Sequence, residues 1–350
     1  MKKVSLKQGT LQWERAKETR IGSSDVFDIV RYYATDEELW NCGINAEDFR
    51  SEKPYTTAWA LYHKMLGDGL YKKEELAPEF SEYGHAVEPF GLYVLQKGRE
   101  KKLTAGEVYM DARVIASIDI SGVSELIDTA IPFTIGHGYP RCGQKFVCEQ
   151  KSMMPIVAKN GKIPYKYLVQ AQYQILKANA DFFILQVMVL KDDSAFLRGK
   201  VCQMPRKTRI AFLEDNNMAV AHFYIRNNEH LARLIDVCIE RFFDAVTNRD
   251  EPTPFLEWDS QQNIIESIRL NTQYSKAPHP YDLGKFLKAK DREDKAKKKK
   301  QEELQKIVEA AKQQHTCSFI SPNGVTGSFS KNGRFLTRES KESAGDVAWS

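Results

Sequence analysis

The chain runs to 350 residues, 42% of them hydrophobic and 28% charged, which fits a globular protein with length for one large core or two ordinary ones. Its net charge is +4, but Lys285 to Lys300 holds eight lysines and Arg292 against three acids, a local balance of +6 that leaves the rest near −2. The longest apolar run, Phe182 to Leu190, includes Gln186 and is far too short to cross a bilayer, and a body near −2 can hold nucleic acid only through a local groove.

The opening MKKVSLKQGT has no apolar segment behind its lysines, so no signal peptide and a cytoplasmic location are expected. Helical periodicity from Thr56 to Leu66 turns Trp59, Tyr62, Met65 and Leu66 towards one face. A second helix is predicted over Phe80 to Leu95, with Val87, Gly91 and Val94 near one line and Pro89 marking a kink or a start. Arg113 to Ile118 and Lys145 to Cys148 read as short strands. A helix from Tyr165 to Ala178 and the apolar strand Phe182 to Leu190 follow. Val201 to Met204 is expected to pair with that strand, ahead of a long helix from Asn217 to Val246. Helices and strands in this mixed order predict an α/β fold, a mixed central sheet flanked by helices.

After Trp258 the character changes. A polar stretch with Pro278 and Pro280 leads into the lysine run, then Leu304, Ile307, Val308 and Ala311 recur at helical spacing, and the end from Ser318 is rich in Gly, Ser and Asn. The expected plan is a main domain over 1–260, a linker over 261–284, a charged helix over 285–314 and a small or flexible tail over 315–350. No internal repeat is present.

Six cysteines, at 42, 142, 148, 202, 238 and 317, form no C-x-x-C pair, and the seven histidines form no H-x-x-x-H pair. A disulfide framework, a zinc ribbon and a histidine-built metal centre are therefore not expected. The chemistry falls instead to Phe146-Val147-Cys148-Glu149-Gln150-Lys151. On a strand Glu149 and Lys151 share one face while Cys148 and Gln150 share the other. A carboxylate can hold a hard cation, and a neighbouring lysine can position or deprotonate an attacking water. Glu-x-Lys also occurs at Glu100, Glu293 and Glu339, in charged or polar surroundings that read as solvated surface; only the copy at Glu149 follows an apolar run. Taken alone, that copy is better read as a surface ion pair. A second apolar run, Val114 to Ile118, ends in Asp119, and two strand ends that each present a carboxylate can share a cation. Asp111 and Asp128 are rivals, but neither ends such a run so cleanly, and the plain alternative for Asp119 is a strand-end turn residue.

Four stretches in order resemble one family. Arg20-Ile21-Gly22-Ser23-Ser24-Asp25-Val26 is similar to its R-[IL]-G…S-[DE]-V segment. Tyr83-Gly84-His85-Ala86-Val87-Glu88 resembles its [WY]-G-x-x-x-E helix. Ala116-Ser117-Ile118-Asp119 with Glu149-Gln150-Lys151 stands where S-P-D and E-x-K stand, and Tyr167-Leu168-Val169-Gln170-Ala171-Gln172-Tyr173 is close to Y-x-x-Q-x-Q-Y. The family is that of phage lambda exonuclease and the YqaJ-type viral recombinases, within the PD-(D/E)xK nuclease superfamily, and the resemblance spans roughly residues 13–190. It implies a PD-(D/E)xK core in which Asp119, Glu149, the backbone carbonyl of Gln150 and, directly or through water, Glu88 hold Mg²⁺ or Mn²⁺. Lys151 would act on the water, Tyr167 and Gln170 would line the site, and Arg20, Ser24 and Ser117 would hold the 5′-phosphate of a DNA end.

The sequence departs from the family pattern in three places. Ile118 stands where proline is usual. The spacing from Trp13 to Arg20 is long, so Lys17 or Arg15 competes for the phosphate role. The 29 residues between Asp119 and Glu149, with Gly136, Gly138, Pro140 and Gly143, exceed a tight loop. The resemblance thus implies a phage-encoded, 5′-to-3′ exonuclease on linear double-stranded DNA that leaves 3′ single strands for recombination. A homo-oligomer, a trimer, and a single-strand annealing partner are expected with it. An endonuclease or nickase on the same core, and a catalytically inactive DNA-binding or assembly protein, are the competing readings. An iron–sulfur variant is not expected from these cysteine spacings.

Overall fold

The computed structural model describes residues 1–71, 78–125, 132–152, 163–191, 194–255, 257–260, 263–264 and 266–267, then scattered helical positions from 291 to 306 and the strands 318–320, 325–329 and 335–339. The chain divides into two compact units, Met1–Thr272 and Gln273–Ser350. In the second, β8 (Ser318–Ile320), β9 (Val325–Phe329) and β10 (Phe335–Glu339) form an antiparallel sheet in the order β10-β9-β8. The stretch 268–290, with most of the linker, and the apolar positions Leu304, Ile307, Val308 and Ala311 lie outside the described residues, as does Asp128.

The first unit is an α/β fold on a seven-stranded sheet. Its strands are β1 (Lys2–Val4), β2 (Ile21–Gly22), β3 (Thr104–Met110), β4 (Val114–Val123), β5 (Lys145–Ser152), β6 (Phe182–Leu190) and β7 (Met218–Arg226), in the order β1-β3-β4-β5-β6-β7 with β2 on β4. The pairs β2–β4 and β5–β6 are parallel and the others antiparallel. Strand β6 lies between two neighbours with both faces covered, which is why its sequence is almost continuously apolar.

The parallel step from β5 to β6 requires a crossover, and α7 (Tyr165–Ala178) supplies it. Its start is set by Pro164 and by Glu52, whose carboxylate accepts from the Tyr165 and Lys166 backbone N–H groups at 2.7 and 3.1 Å. Asn179, in the left-handed region at φ 51°, ends it. Tyr167, Ala171 and Ile175 of α7 pack on Val147, Phe183, Leu185 and Val187. Two further helices, α2 (Val26–Tyr33) and α10 (Glu229–Asn248), complete that layer around Val169 and Tyr173. The opposite face is covered by α6 (Pro78–Gln96), whose Tyr83, Val87 and Phe90 meet Met188 and Leu190. Gly91 lets α6 close on the sheet, because a Cβ there would collide with the Gln150 and Gln186 side chains.

Three expectations are corrected. Val201 to Met204 is not a strand: it ends α8 (Ala195–Gln203), which Ser194 starts by accepting the Leu197 N–H. The place beside β6 belongs to Met218–Arg226, read from the sequence as the start of the long helix. That stretch pairs with β6 residue for residue, and the helix begins only at Glu229, after Asn228 caps it through the Leu231 N–H. Neither acid stands at a strand end. Strand β4 runs on to Val123 and β5 to Ser152, so Asp119 and Glu149 are both interior.

The sheet forks between these strands. One edge of β4 pairs with β3 from Ile115 to Ser121, but the other is shared: β2 takes Val114 and Ile115, and β5 takes Ile120 to Val123. Ala116 to Asp119 lie in the gap, without a ladder partner on that side. Across β3 the register also skips the pair Gly106–Asp119, where Gly106 has φ +72°. As a result Ile118 and Ile120, which strict alternation would put on one face, pack into clusters on opposite faces.

Candidate active site

The fork gathers the catalytic candidates. Beyond the last β4–β5 pair, Ile120–Cys148, the backbone N–H of Gln150 donates to Asp119 Oδ2 at 2.8 Å, so a side chain continues what the ladder leaves off. Glu149 and Lys151 do share a face of β5, and Lys151 Nζ donates to Glu149 Oε1 at 2.7 Å. Their side chains retain 11% and 24% exposure, which leaves the pair open to a ligand. Gln150 points to the other face and meets Gln186 at 2.7 Å. Gln186 is in turn bonded to the Gly91 carbonyl at 3.2 Å and lies 2.9 Å from His222 Nε2.

Electrostatics follow from this crowding. Burial, and then the facing charge of Glu149, push the Asp119 carboxyl well above the usual carboxylate range, against the Gln150 N–H and Lys151, which pull it down; Glu88 adds to the rise. For Lys151 burial favours the neutral amine. The carboxylates of Glu149 and Asp119, with Tyr167, outweigh that and hold it as an ammonium above its ordinary value.

Helix α7 supports the pair from the adjacent face. Tyr167 is 7% exposed, and its ring centroid lies 5.4 Å from Lys151 Nζ. Gln170 is buried, and its Oε1 has no hydrogen-bond partner among the described residues. The sequence reading passed over Gln174, which is fully buried and spans the fork: its Nε2 donates to Glu149 Oε2 at 2.9 Å and to the Ser117 carbonyl at 3.1 Å. The signal was present, since Gln174 follows Gln170 by four and Tyr167 by seven, one stripe of a helix.

Glu88 stands apart. It lies on α6 with a side chain 47% exposed, its Oε1 3.0 Å from His85 Nδ1, and its charge reaches Asp119. Among the described residues no three His, Cys, Asp or Glu side chains converge as a metal cage. The neighbouring carboxyls of Asp119 and Glu149 nevertheless offer hard oxygen donors, the kind that suit a divalent cation keeping several waters or substrate oxygens. The mutual repulsion registered at Asp119 is what such a cation would relieve.

The anion-binding candidates are dispersed. The Arg20 guanidinium is engaged by its own chain, donating to the carbonyls of Asp111 at 2.8 Å and Ala16 at 3.2 Å and to Thr19 Oγ1 at 3.1 Å. Ser24 is exposed at the start of α2. Ser117 Oγ accepts from Trp13 Nε1 at 2.9 Å, and Lys17 Nζ sits 4.3 Å from the centre of the Trp13 ring. Lys17, not Arg20, is the cation linked to the fork. Asp111 accepts from the Arg113 and Val114 N–H groups at 2.9 and 3.0 Å, as a turn residue does.

No protein-family model matches the sequence, and no curated protein matches it. Among solved structures the chain is similar to an alkaline exonuclease, LHK-Exo, from Laribacter hongkongensis, at 14% identity and TM-score 0.42, covering 69% of this chain and 94% of that one. It is also similar to a phage-related exonuclease from Haemophilus somnus 129PT, at 11% identity and TM-score 0.40, covering 66% of this chain and 96% of that one. Among the described residues no helix is long and apolar enough to cross a membrane.

Proposed function

We propose that the chain is a divalent-metal-dependent nuclease with a PD-(D/E)xK core, digesting linear duplex DNA from its ends. The observation that carries this reading is the fork itself, which sets the Asp119 carboxylate beside the Glu149–Lys151 pair through the Gln150 N–H and the Gln174 amide. A surface ion pair would need neither the buried amide stitch nor a second carboxylate raised by the first.

Asp119 and Glu149 would hold Mg²⁺ or Mn²⁺ with the Gln150 carbonyl, and Glu88 would join through water. When bound, such a cation supplies Lewis-acid polarisation of the scissile phosphodiester. Lys151, as an ammonium, orients the attacking water and offsets charge that builds on the phosphate. Tyr167 confines the lysine, and Gln170, one turn along the same helix, keeps a buried acceptor unmet among the described residues. The terminal 5′-phosphate is assigned to Lys17 and Ser117, with Ser24 at the margin. Drawing that end forward after each cut gives 5′-to-3′ digestion and a 3′ single strand, the substrate of a single-strand annealing partner. A ring-shaped homo-oligomer would hold DNA by enclosure, which suits a body with little positive charge.

The deciding experiment is a time course on end-labelled linear duplex with and without Mg²⁺. The purified chain should shorten the 5′-ended strand only with the metal. A Lys151→Ala chain should fold and bind duplex yet fail to digest it. Equal turnover by that variant, or recessed 3′ ends, would refute the assignment.

A further inference from the structure

Beside the fork lies a row of exposed rings, each with a cation against it, that the hydrolysis itself does not use. Tyr55 is 45% exposed and its ring centroid is 6.5 Å from that of Tyr167. Lys166 Nζ lies 4.6 Å from the Tyr55 ring centre and 5.7 Å from that of Tyr167. Trp258, 40% exposed, has Lys53 Nζ at 4.8 Å, and Phe255, 39% exposed, has the Arg31 guanidinium at 4.7 Å.

These groups sit on two loops that are fixed to each other. Thr57 Oγ1 donates to Asp259 Oδ1 at 2.6 Å, and Asp259 Oδ2 accepts the Phe255 N–H at 2.6 Å. The loop bearing Lys53 and Tyr55 is also held by the Thr56 N–H on the buried Asp28 at 3.1 Å. The row therefore runs from Lys151 and Tyr167 through Tyr55 and Lys166 to Trp258 with Lys53 and Phe255 with Arg31. The acids along it are largely turned to other work. Glu52 is taken up by the α7 amides and Asp259 by Thr57 and Phe255, while the buried Asp28, which holds the Thr56 N–H, and Glu257 are both felt at Arg31.

Exposed large apolar rings carry a solvation cost, and rings alternating with cations match one kind of ligand closely. A single strand of nucleic acid offers a π-face from every base and a negative charge from every phosphate. Paired bases in a duplex hide their faces and have no use for such a platform. We propose that the Tyr55–Trp258–Phe255 row is a stacking path for the unpaired DNA strand next to the cut. This rests on the nuclease reading for its substrate, and its continuity with Tyr167 is what makes DNA the occupant.

The test uses the full chain in EDTA, so that nothing is cut, and follows the anisotropy of a fluorescent oligo-dT of about 15 nucleotides. Stacking one base is worth roughly 1–3 kcal/mol, so Trp258→Ala and Phe255→Ala should each weaken binding by about 5- to 150-fold. Phe196→Ala, an exposed ring on α8 of the opposite layer, should leave it unchanged. Oligonucleotides carrying 5-iodouracil should cross-link under ultraviolet light to peptides containing Tyr55, Phe255 or Trp258. The cross-link reads the wild-type chain, so it stands even if a substitution unfolds the loop. Undiminished oligo-dT affinity in both folded variants, cross-links confined elsewhere, or no single-strand binding at all would overturn the proposal. Mg²⁺-dependent digestion is scored separately. Trp258-dependent binding without digestion sinks the nuclease reading and keeps the path, whereas digestion with Trp258-independent binding does the reverse.

Discussion

The side-chain amide of Gln174 donates from one nitrogen to both sides of the fork, to Glu149 Oε2 at 2.9 Å and to the Ser117 carbonyl at 3.1 Å. It fixes the orientation of a carboxylate that would otherwise be steered by Lys151 alone. Groups one step behind a metal ligand, the place Gln174 takes in the proposed site, typically change metal affinity or activity by about 10–100-fold when removed. Gln174→Leu is expected to lose activity in that range and to need more Mg²⁺ for half-maximal rate. The unmet Ser117 carbonyl should cost about 1–2 kcal/mol of stability as well. A Mg²⁺ titration of rate, beside a denaturant midpoint, separates the two effects; an unchanged Mg²⁺ requirement would reduce Gln174 to a structural stitch.

Asp119 gives a stability prediction of opposite sign to its activity effect. Its carboxyl is raised by burial and by Glu149, so the wild-type site is more stable with Asp119 protonated, and that contribution is lost as pH rises through the raised value. Asp119→Asn keeps an acceptor for the Gln150 N–H and removes the charge. In EDTA at pH 7 the variant should melt about 2–4 °C higher, equivalent to ~1 kcal/mol in a domain of this size. The advantage should vanish near or below the ordinary carboxylate value of about 4, where wild type is protonated too. Mg²⁺ should raise the wild-type Tm and leave the variant unmoved. A variant less stable than wild type in EDTA at pH 7 would contradict the raised carboxyl.

Lys17 and Arg20 should behave differently. Arg20 holds three groups of its own chain, so Arg20→Ala should lower stability by about 1–2 kcal/mol while preserving any preference for 5′-phosphorylated over 5′-hydroxyl ends. Lys17→Ala should remove most of that preference. Rates on the two kinds of end, measured side by side, decide it: loss of the preference in Arg20→Ala alone would return the phosphate to Arg20.

Gly91 is predicted to be intolerant of a methyl group. A Cβ there would strike Gln150 and Gln186 and come within 2.9 Å of Met188 Sδ, so α6 must lift or the glutamines must move. Gly91→Ala should cost about 1–3 kcal/mol despite the better helix propensity of alanine, and should lower activity through displaced Gln150. A neutral or stabilised variant in thermal unfolding would show that the helix rides higher than described.

The residues that a local pattern can encode were legible in the sequence. Tyr165–Ala178 and Phe182–Leu190 were read to their ends because a capped, amphipathic helix and a doubly covered strand each leave a continuous signature. The shared face of Glu149 and Lys151 followed from the two-residue period of a strand. Met218–Arg226 was misread because alanines at 219 and 221 blur strand alternation, and its assignment is settled by its partner β6, not by itself. The meeting of Asp119 with Glu149 was expected from two strand ends, but it arises from a fork created by β2 and by the register gap at Gly106. That gap is a relation between three strands, and no window along one chain segment contains it. The Gln174–Ser117 and Trp13–Ser117 bonds belong to the same class, contacts across 57 and 104 positions.

The fork also sets an order of events in refolding. The β4–β5 pairing closes at Ser124, whose N–H donates to the Gln144 carbonyl at 2.7 Å. The parallel β5–β6 pairing must wait for the crossover helix, and non-local parallel pairing is slow to nucleate. Gln174 reaches Glu149 as that helix docks on β5. Far-UV signal should therefore recover before Mg²⁺-dependent turnover does, and a preparation with full helical content can still hold molecules whose strands have not been drawn together.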